Sequence, residues 1–418
     1  MLRKIPRGKI YFSLPVIMKS MQLFLTGKVF RGSAIKHFEH ELAQYLGCKE
    51  VITTSSGTLS LYLCLKALDC KEGDEIIIPA YTVPEVIGMI ISLGMKPIFV
   101  DICEGTYNIN PHLIEREITK KTKVLLLTHI YGQPCDIDPI IALAQKFNLK
   151  VIEDGAQALG AEYKGKKIGT YGLVAYFSFG LMKNLNTLCG GAIATDDREV
   201  GQRIRNEISS YKFPSFTTIL RRFFVAWGIT FFSHPIIFSL ITYPCIRASM
   251  IINETFLHNF LRGQKASLNQ SISMMDHYKK AFTNLQAAIG ILQLRDIDYY
   301  SEIRMKNAEV LNEYLNGSQY LLPRTLAYVK NIFLNYVIQA KQNKKLLIKA
   351  LLKKGIDVTE GYVRNCAGMD EFKTYKADCP VSAALERDNI YIPIHAPLSG
   401  KHMRHIATTL RELAERSA

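Results

Sequence analysis

Between Glu50 and Thr195 the chain alternates short β-branched runs with segments of helical pattern, and this rhythm restricts the fold more than any other feature. Glu50–Thr54, Glu75–Pro79, Pro97–Val100, Val124–Thr128 and Lys150–Glu153 read as buried strands. Between them, Thr58–Leu68, Val83–Leu93, Pro111–Ile118 and Ile137–Phe147 read as helices. Strands alternating with helices predict an α/β fold whose open, mostly parallel sheet is covered on both faces. Ligands in such sheets bind beyond the C-terminal ends of the strands. The residues just after each strand are therefore where chemistry is expected.

The rhythm stops after Arg205. Phe223–Ile246 contains no Asp, Glu, Lys or Arg and is bracketed by Arg221, Arg222 and Arg247. Its length could cross a bilayer, but Pro235, Pro244 and His234 spoil one continuous helix. Two readings stand: two short, interrupted helices lying on a membrane surface, or a hairpin buried in the protein or its dimer interface. Further on, Leu285–Asp298 has a strong amphipathic pattern that continues through Glu302–Leu315. Asn331–Ala340, Gln342–Lys354 and Asp388–Ile394 suggest a small α+β domain closed by the helix Gly400–Arg416. The expected division is an N-terminal arm (1–30), a large domain (31–265) with an apolar insertion at about 213–262, and a connecting helix with the small C-terminal domain (266–418). Within the arm, the apolar stretch Tyr11–Met18 is short, contains Pro15 and ends at Lys19, which argues against a secretory signal.

A formal net charge of +15 favours anionic partners. Nucleic acid is not expected, because zinc-finger spacing, an RNA-binding aromatic signature and a long basic run are all missing. The nine cysteines are scattered without a Cys-x-x-Cys pair, so no metal site is expected, and a reducing cytoplasm suits them.

Three segments carry candidate chemistry. In Val151–Gln157 an apolar strand ends in Glu153 and Asp154, followed by small residues. If the ligand is pyridoxal phosphate (PLP), a carboxylate there keeps the pyridine nitrogen protonated and the ring an electron sink. In Tyr176–Leu185 a second strand runs into a loop with one lysine, Lys183. Apolar surroundings lower a lysine's pKa and make its amine nucleophilic. In Thr54–Thr58 a polar turn opens the helix Leu59–Leu68, and a helix N-terminus attracts phosphate through free N–H groups and its dipole. Taken singly, these segments also suit a helix-capping acid, a surface lysine and a simple N-cap at Ser56 or Thr58.

Together the segments resemble the DegT/DnrJ/EryC1/StrS family of PLP-dependent sugar aminotransferases, of fold type I. The resemblance runs from Gly32-Ser33 and the helix His37–Leu46 through Ser56-Gly57-Thr58, Gly73–Pro79 and His129–Gly132. It is densest at Glu153–Ala158 and at Phe177-Ser178-Phe179 with Lys183-Asn184-Leu185, and it returns at Leu285–Gly290 and Ile392–His395. It implies that Lys183 holds PLP as a Schiff base and shuttles the proton between substrate and cofactor. Asp154 would pair with the pyridine nitrogen, and Gln157 would lie beside the ring and its phenolic oxygen. Gly57, Thr58 and Ser178 would cradle the phosphate. Family members are dimers with composite sites, so Lys279 or Lys280 is the candidate contact to a partner's phosphate. The family's ring-stacking aromatic position is Val83 here, with Tyr81 the nearest aromatic, and Leu188-Cys189-Gly190-Gly191 replaces the usual Gly-Glu-Gly-Gly.

The function so implied is transfer of an amino group from an amino-acid donor, glutamate by family analogy, to a keto sugar carried on a nucleotide or lipid. Such a reaction belongs to surface polysaccharide or amino-sugar biosynthesis. The scattered cysteines point to the cytoplasm, with peripheral contact to an anionic inner membrane face if Phe223–Ile246 lies on lipid and none if it is buried in the protein. Two rivals are a sugar dehydratase on the same fold and a catalytically silent scaffold at the membrane. Lys183 opposes the first, since family dehydratases carry histidine there, and the intact Asp154, Gln157, Ser178 and Lys183 set opposes the second.

Overall fold

The computed structural model describes residues 4–252, 278–341 and 344–415. Seven strands form one sheet: β1 (Glu50–Thr54), β2 (Glu75–Pro79), β3 (Lys96–Val100), β4 (Thr122–Thr128), β5 (Lys150–Asp154), β6 (Val174–Ser178) and β7 (Gly191–Thr195). Their spatial order is β1-β7-β6-β5-β4-β2-β3. The run from β6 to β3 is parallel, and β7 lies antiparallel to both β6 and β1. The expected α/β class and mostly parallel sheet are what forms. The β-branched runs become strands because both faces are covered: Ile76, Ile78, Val124, Leu126 and Ile152 point into one apolar core, and Ile77, Leu125, Leu127 and Val151 into another.

The helices used below are α1 (Leu14–Leu25), α2 (Ala34–Leu46), α3 (Gly57–Ala67), α4 (Phe216–Phe232), α5 (Asn284–Leu294), α6 (Ile297–Leu315), α7 (Lys344–Lys353) and α8 (Gly400–Glu415). Part of the apolar stretch expected to be an arm is thus helical. Pro15 sits in the first turn of α1, where a missing N–H costs no hydrogen bond. The single amphipathic pattern from Leu285 is two helices, broken between Leu294 and Ile297. Pro111–Ile118 shortens to a one-turn helix, Pro111–Ile114, and a 3₁₀ turn, Glu115–Glu117. The antiparallel pair β8 (Tyr336–Gln339) and β9 (Asn389–Ile392) has its own apolar core, shared with α6, α7 and α8. β8 covers only part of the strand-like run 331–340, because Phe333 takes a left-handed conformation (φ 46°).

The charge-free segment is helical, as the first of the two readings has it. Two helical pieces do form, α4 and Pro235–Ala248, bent by 66° at their junction. Pro244 does not divide the second piece. The turns Phe238–Thr242 just before it are π-helical, and such wide turns accommodate a residue that cannot donate its N–H. Neither piece is long and apolar enough to cross a membrane. One face is buried: Ile219, Phe223 and Ala226 pack with α1 and α5, and Phe238, Tyr243 and Ile246 with Leu352 of α7. The other face is exposed.

Candidate active site

The site lies where β5 and β6 end and α3 begins. Asp154 is the last residue of β5, paired in register with Thr128 and Tyr176. Its carboxylate accepts the Ala156 N–H at 3.0 Å and is otherwise enclosed. Burial raises its pKa, against the opposing pull of Tyr176, the Ala156 N–H and the Lys183 ammonium. The Tyr176 hydroxyl faces this carboxylate and favours its anion, yet it completes no well-formed hydrogen bond. A buried carboxylate whose pKa is raised gains from a cation beside it, and a protonated ring nitrogen is such a cation. Gly155 follows because a Cβ there would lie 2.4 Å from the Phe177 ring.

The neighbouring Glu153 has a different task. Burial alone would raise its pKa, but His129 and the N–H groups of Gly172 and Gly169 outweigh that and hold it below the ordinary value. It bonds His129 Nε2 at 3.3 Å and the N–H groups of Gly169, Tyr171 and Gly172 at 2.9, 2.7 and 2.7 Å. Glu153 therefore ties the strand end to the 169–172 loop. Gln157 accepts the Tyr131 N–H at 3.1 Å, leaving its amide NH₂ as the group to offer a ligand.

Lys183 follows β6 in a loop that is clamped from α5. Gln293 bonds both the N–H and the carbonyl of Asn186, at 2.9 and 2.8 Å, and Gln286 donates to the Cys189 carbonyl. Asn184 is fixed by the Leu159 carbonyl at 2.9 Å and by Arg304 at 2.6 Å. The Lys183 ammonium lies 5.4 Å from the centre of the Tyr362 ring. It faces a cavity of about 390 Å³ whose walls also include Arg7, Lys9, Tyr11, Arg304, Tyr391 and His395.

The third part is the start of α3. Ser56 caps it by accepting the Leu59 N–H at 3.1 Å, which leaves the Gly57 and Thr58 N–H groups without a partner among the described residues. Ser178 is so close that a Cβ on Gly57 would lie 2.9 Å from its Cβ. Gly191 is equally tight: a Cβ there would meet the Phe177 carbonyl at 2.6 Å and the Gly57 nitrogen at 2.8 Å. The result is a small concavity of N–H donors with one hydroxyl, the chemistry of a phosphate cradle.

Gly57, Thr58, Asp154, Gln157, Ser178 and Lys183 thus lie at or beyond the C-terminal ends of β1, β5 and β6, on one end of the sheet. The remaining candidates are placed elsewhere. Tyr81 is fully buried, its hydroxyl bonded to Tyr131 at 2.6 Å and to Asn389 at 2.7 Å, so it does not line the Lys183 cavity. Val83 lines the adjoining groove with Glu85, Tyr362 and Arg364. Lys279 stands 5.6 Å from the Tyr62 ring, and Lys280 bridges to Lys212. Their segment is held beside the cradle, because Ser55 donates to the Tyr278 carbonyl.

Several wall residues were not among the sequence candidates. Arg304 is buried without a carboxylate partner among the described residues, and desolvation lowers its pKa. Arg7, Lys9 and Tyr11 come from the arm, with Arg7 held by Asp357 at 2.6 and 2.9 Å. No local signal marks these residues, since each reaches the cavity through a contact distant in sequence. For His395, the Ile392–His395 motif was such a signal.

The sequence pattern of the DegT/DnrJ/EryC1/StrS aminotransferase family matches residues 17–219 and 254–411. An uncharacterised protein of Methanocaldococcus jannaschii is 30% identical over 390 residues, 90% of this chain and 89% of that protein. The GDP-perosamine synthase of Escherichia coli O157:H7 is 41% identical over 173 residues, 41% of this chain and 48% of the enzyme. The dTDP-3-amino-3,6-dideoxy-alpha-D-galactopyranose transaminase of Aneurinibacillus thermoaerophilus is 43% identical over 187 residues, 44% of this chain and 51% of the enzyme. The matched segments thus span about half of each of these two enzymes. Among solved structures, DesV of S. venezuelae superposes with a TM-score of 0.77 at 23% identity, covering 100% of both chains. Helicobacter pylori PseC, an aminotransferase of pseudoaminic acid biosynthesis, gives 0.77 at 20% identity, covering 99% of this chain and 100% of its own. At these identities the two structures establish the common fold alone.

Proposed function

Since the chain belongs to the DegT/DnrJ/EryC1/StrS aminotransferase family, whose members depend on PLP, we propose that it moves an amino group from an amino-acid donor to a keto sugar in amino-sugar or polysaccharide biosynthesis. The observation that carries this reading is that Asp154, Lys183 and the Gly57–Ser178 cradle all lie at or just beyond the C-terminal ends of β5, β6 and β1, with the Lys183 charge favouring the Asp154 anion. The residues fit PLP. The Gly57 and Thr58 N–H groups and the Ser178 hydroxyl would hold its phosphate, and Asp154 its ring nitrogen. When bound, the cofactor supplies an electron sink for the pair left when a proton departs the substrate carbon.

The chain's own groups do the rest. Lys183 is tethered by its loop yet reaches into the cavity, so its amine serves as nucleophile and then as proton carrier. Burial raises the pKa of Asp154, so a protonated ring nitrogen beside it would favour its anion, and that anion would in turn hold the ring proton. Gln157, fixed by the Tyr131 N–H, would offer its amide to the ring. Arg304 and Lys9 offer positive charge to a donor carboxylate or to the acceptor's carrier. The two sugar-nucleotide aminotransferases quoted above support a nucleotide-linked acceptor, while a lipid carrier is the alternative if the enzyme works at the cytoplasmic face of a membrane. The assembly we propose is a homodimer in which Lys279 or Lys280 reaches the partner's cradle.

The test is a two-stage reaction followed by absorbance and mass spectrometry. Glutamate should convert the cofactor to its amino form and release 2-oxoglutarate. A nucleotide-linked keto sugar should then regenerate the aldehyde form and gain the amine. A cofactor spectrum that no amino acid alters would overturn the reading.

A further inference from the structure

We infer that the outward faces of α1 and α4, together with the segment Pro235–Ala248, form a docking surface for an anionic lipid bilayer. The family pattern omits 220–253, so most of this surface lies outside the residues it matches. Its apolar side chains are large and exposed: Phe224 (55%), Trp227 (44%), Phe231 (45%) and Phe232 (50%) on α4, and Leu240 (72%) beyond it. α1 adds Leu14, Met18, Met21 and Leu25, exposed on one face of the helix at helical spacing. The two helices are neighbours, because Phe24 and Phe12 of the N-terminal segment pack edge-on against Phe223. Soluble monomers rarely leave so much contiguous aromatic surface to water without a partner.

Charge identifies that partner. Residues 4–38 contain seven Lys or Arg and no Asp or Glu, and residues 208–252 contain four and none. Lys19, Lys28, Arg221 and Arg247 are exposed, and none forms an ion pair among the described residues. A second copy of the chain is the alternative occupant. A two-fold interface sets a patch against itself, however, and here that would oppose cations to cations. Anionic headgroups neutralise them instead, while the aromatic side chains enter the acyl boundary.

The surface is also tied to the Lys183 cavity. The Lys4 N–H bonds Ser239 at 3.0 Å, and the Lys4 ammonium lies 5.1 Å from the Tyr243 ring. Three residues farther on, the same strand of chain supplies Arg7 and then Lys9 to the cavity wall. This inference does not depend on the proposed reaction.

Trp227 is the chain's one tryptophan, so its fluorescence reports this face directly. Added to the intact protein at low salt, vesicles containing phosphatidylglycerol should shift its emission to the blue and expose it to brominated lipid. Pure phosphatidylcholine vesicles should do neither, and high salt should reverse the shift. Lys19→Gln with Arg221→Gln should weaken co-sedimentation about thirtyfold, with transamination of a soluble sugar nucleotide unchanged. Unaltered emission and protein left in the supernatant would overturn the inference. So would a Trp227 already blue-shifted without lipid, with Phe224→Ser and Phe231→Ser dissociating a dimer, because the face would then lie between subunits.

Discussion

Gly57→Ala tests the phosphate cradle in a way that can be worked from the coordinates. The new Cβ would lie 2.9 Å from the Ser178 Cβ, 3.3 Å from its Oγ and 3.4 Å from its Cα. Carbon atoms rest at about 3.5–4.0 Å, so a gap of roughly 0.6 Å or more must open. The Ser178 Oγ can rotate away, but its Cβ and Cα belong to β6, whose register is locked by the Ser178–Gly191 pair. Gly191 cannot yield either, since it is already pressed against Gly57 and the Phe177 carbonyl. The start of α3 must therefore move off the strand, and the N–H donors move with it. Overpacking of this kind costs about 1–3 kcal/mol. If the cost falls on the bound geometry, PLP affinity drops roughly 5- to 150-fold. The assay is a PLP titration of the apoenzyme, followed by absorbance. Ser178→Gly removes the obstructing Cβ at the expense of one hydroxyl, so the double variant should bind better than the two single effects combined predict, by about 1–3 kcal/mol. Strict additivity, or a Gly57→Ala enzyme binding within twofold of the parent, would refute the argument.

Lys183→Ala should lose the visible band of the parent enzyme and fall to background turnover, and spectrophotometry with a glutamate half-reaction checks both. Asp154→Asn should keep most of its PLP affinity through the cradle yet transaminate on the order of a hundredfold or more slower, since general acid–base and electrostatic effects of this kind are of that size; near-normal kcat would assign the ring nitrogen to another group. Burial pushes His395 down from its ordinary 6.5 to about 4, so the folded chain refuses a proton that the unfolded chain accepts. Its contribution to stability is whole above pH 6.5 and is lost as the pH falls toward 4, by about 1.4 kcal/mol per unit and roughly 3 kcal/mol in all. Urea unfolding should therefore show a shallower acid loss in His395→Gln than in the parent. Sedimentation should show a dimer at assay concentration, and a fully active monomer would rule out a site shared between subunits.

The strands and the chemistry-bearing positions were legible for one physical reason. A strand covered on both faces must be apolar along its length, so β2, β4 and β5 stand out in the sequence, and a polar residue at such a strand's end has only the ligand crevice to face. Asp154 is found by that rule, Lys183 as the one lysine of the loop after β6, and Ser178 through the family resemblance. Helix breaks were less legible, because the amphipathic pattern runs across Arg295 and Asp296 while the backbone does not. Pro244 misled for a related reason: a wide π turn absorbed the missing donor, which no pattern of side chains announces.

The order of elements and the α/β class were set by the sequence alone, because these depend on local pattern. What only the tertiary structure decided is which distant groups share a wall. Arg304 lies 120 residues beyond Asn184 and still fixes it. Tyr81 was drawn from the cofactor side into a buried bond with Tyr131, since two hydroxyls enclosed together satisfy each other. The charge-free segment was plain in the sequence, but which of its sides is interior was settled by packing against α1, α5 and Leu352. Burial is a property of neighbours, and a chain chooses its neighbours only when the whole of it has folded.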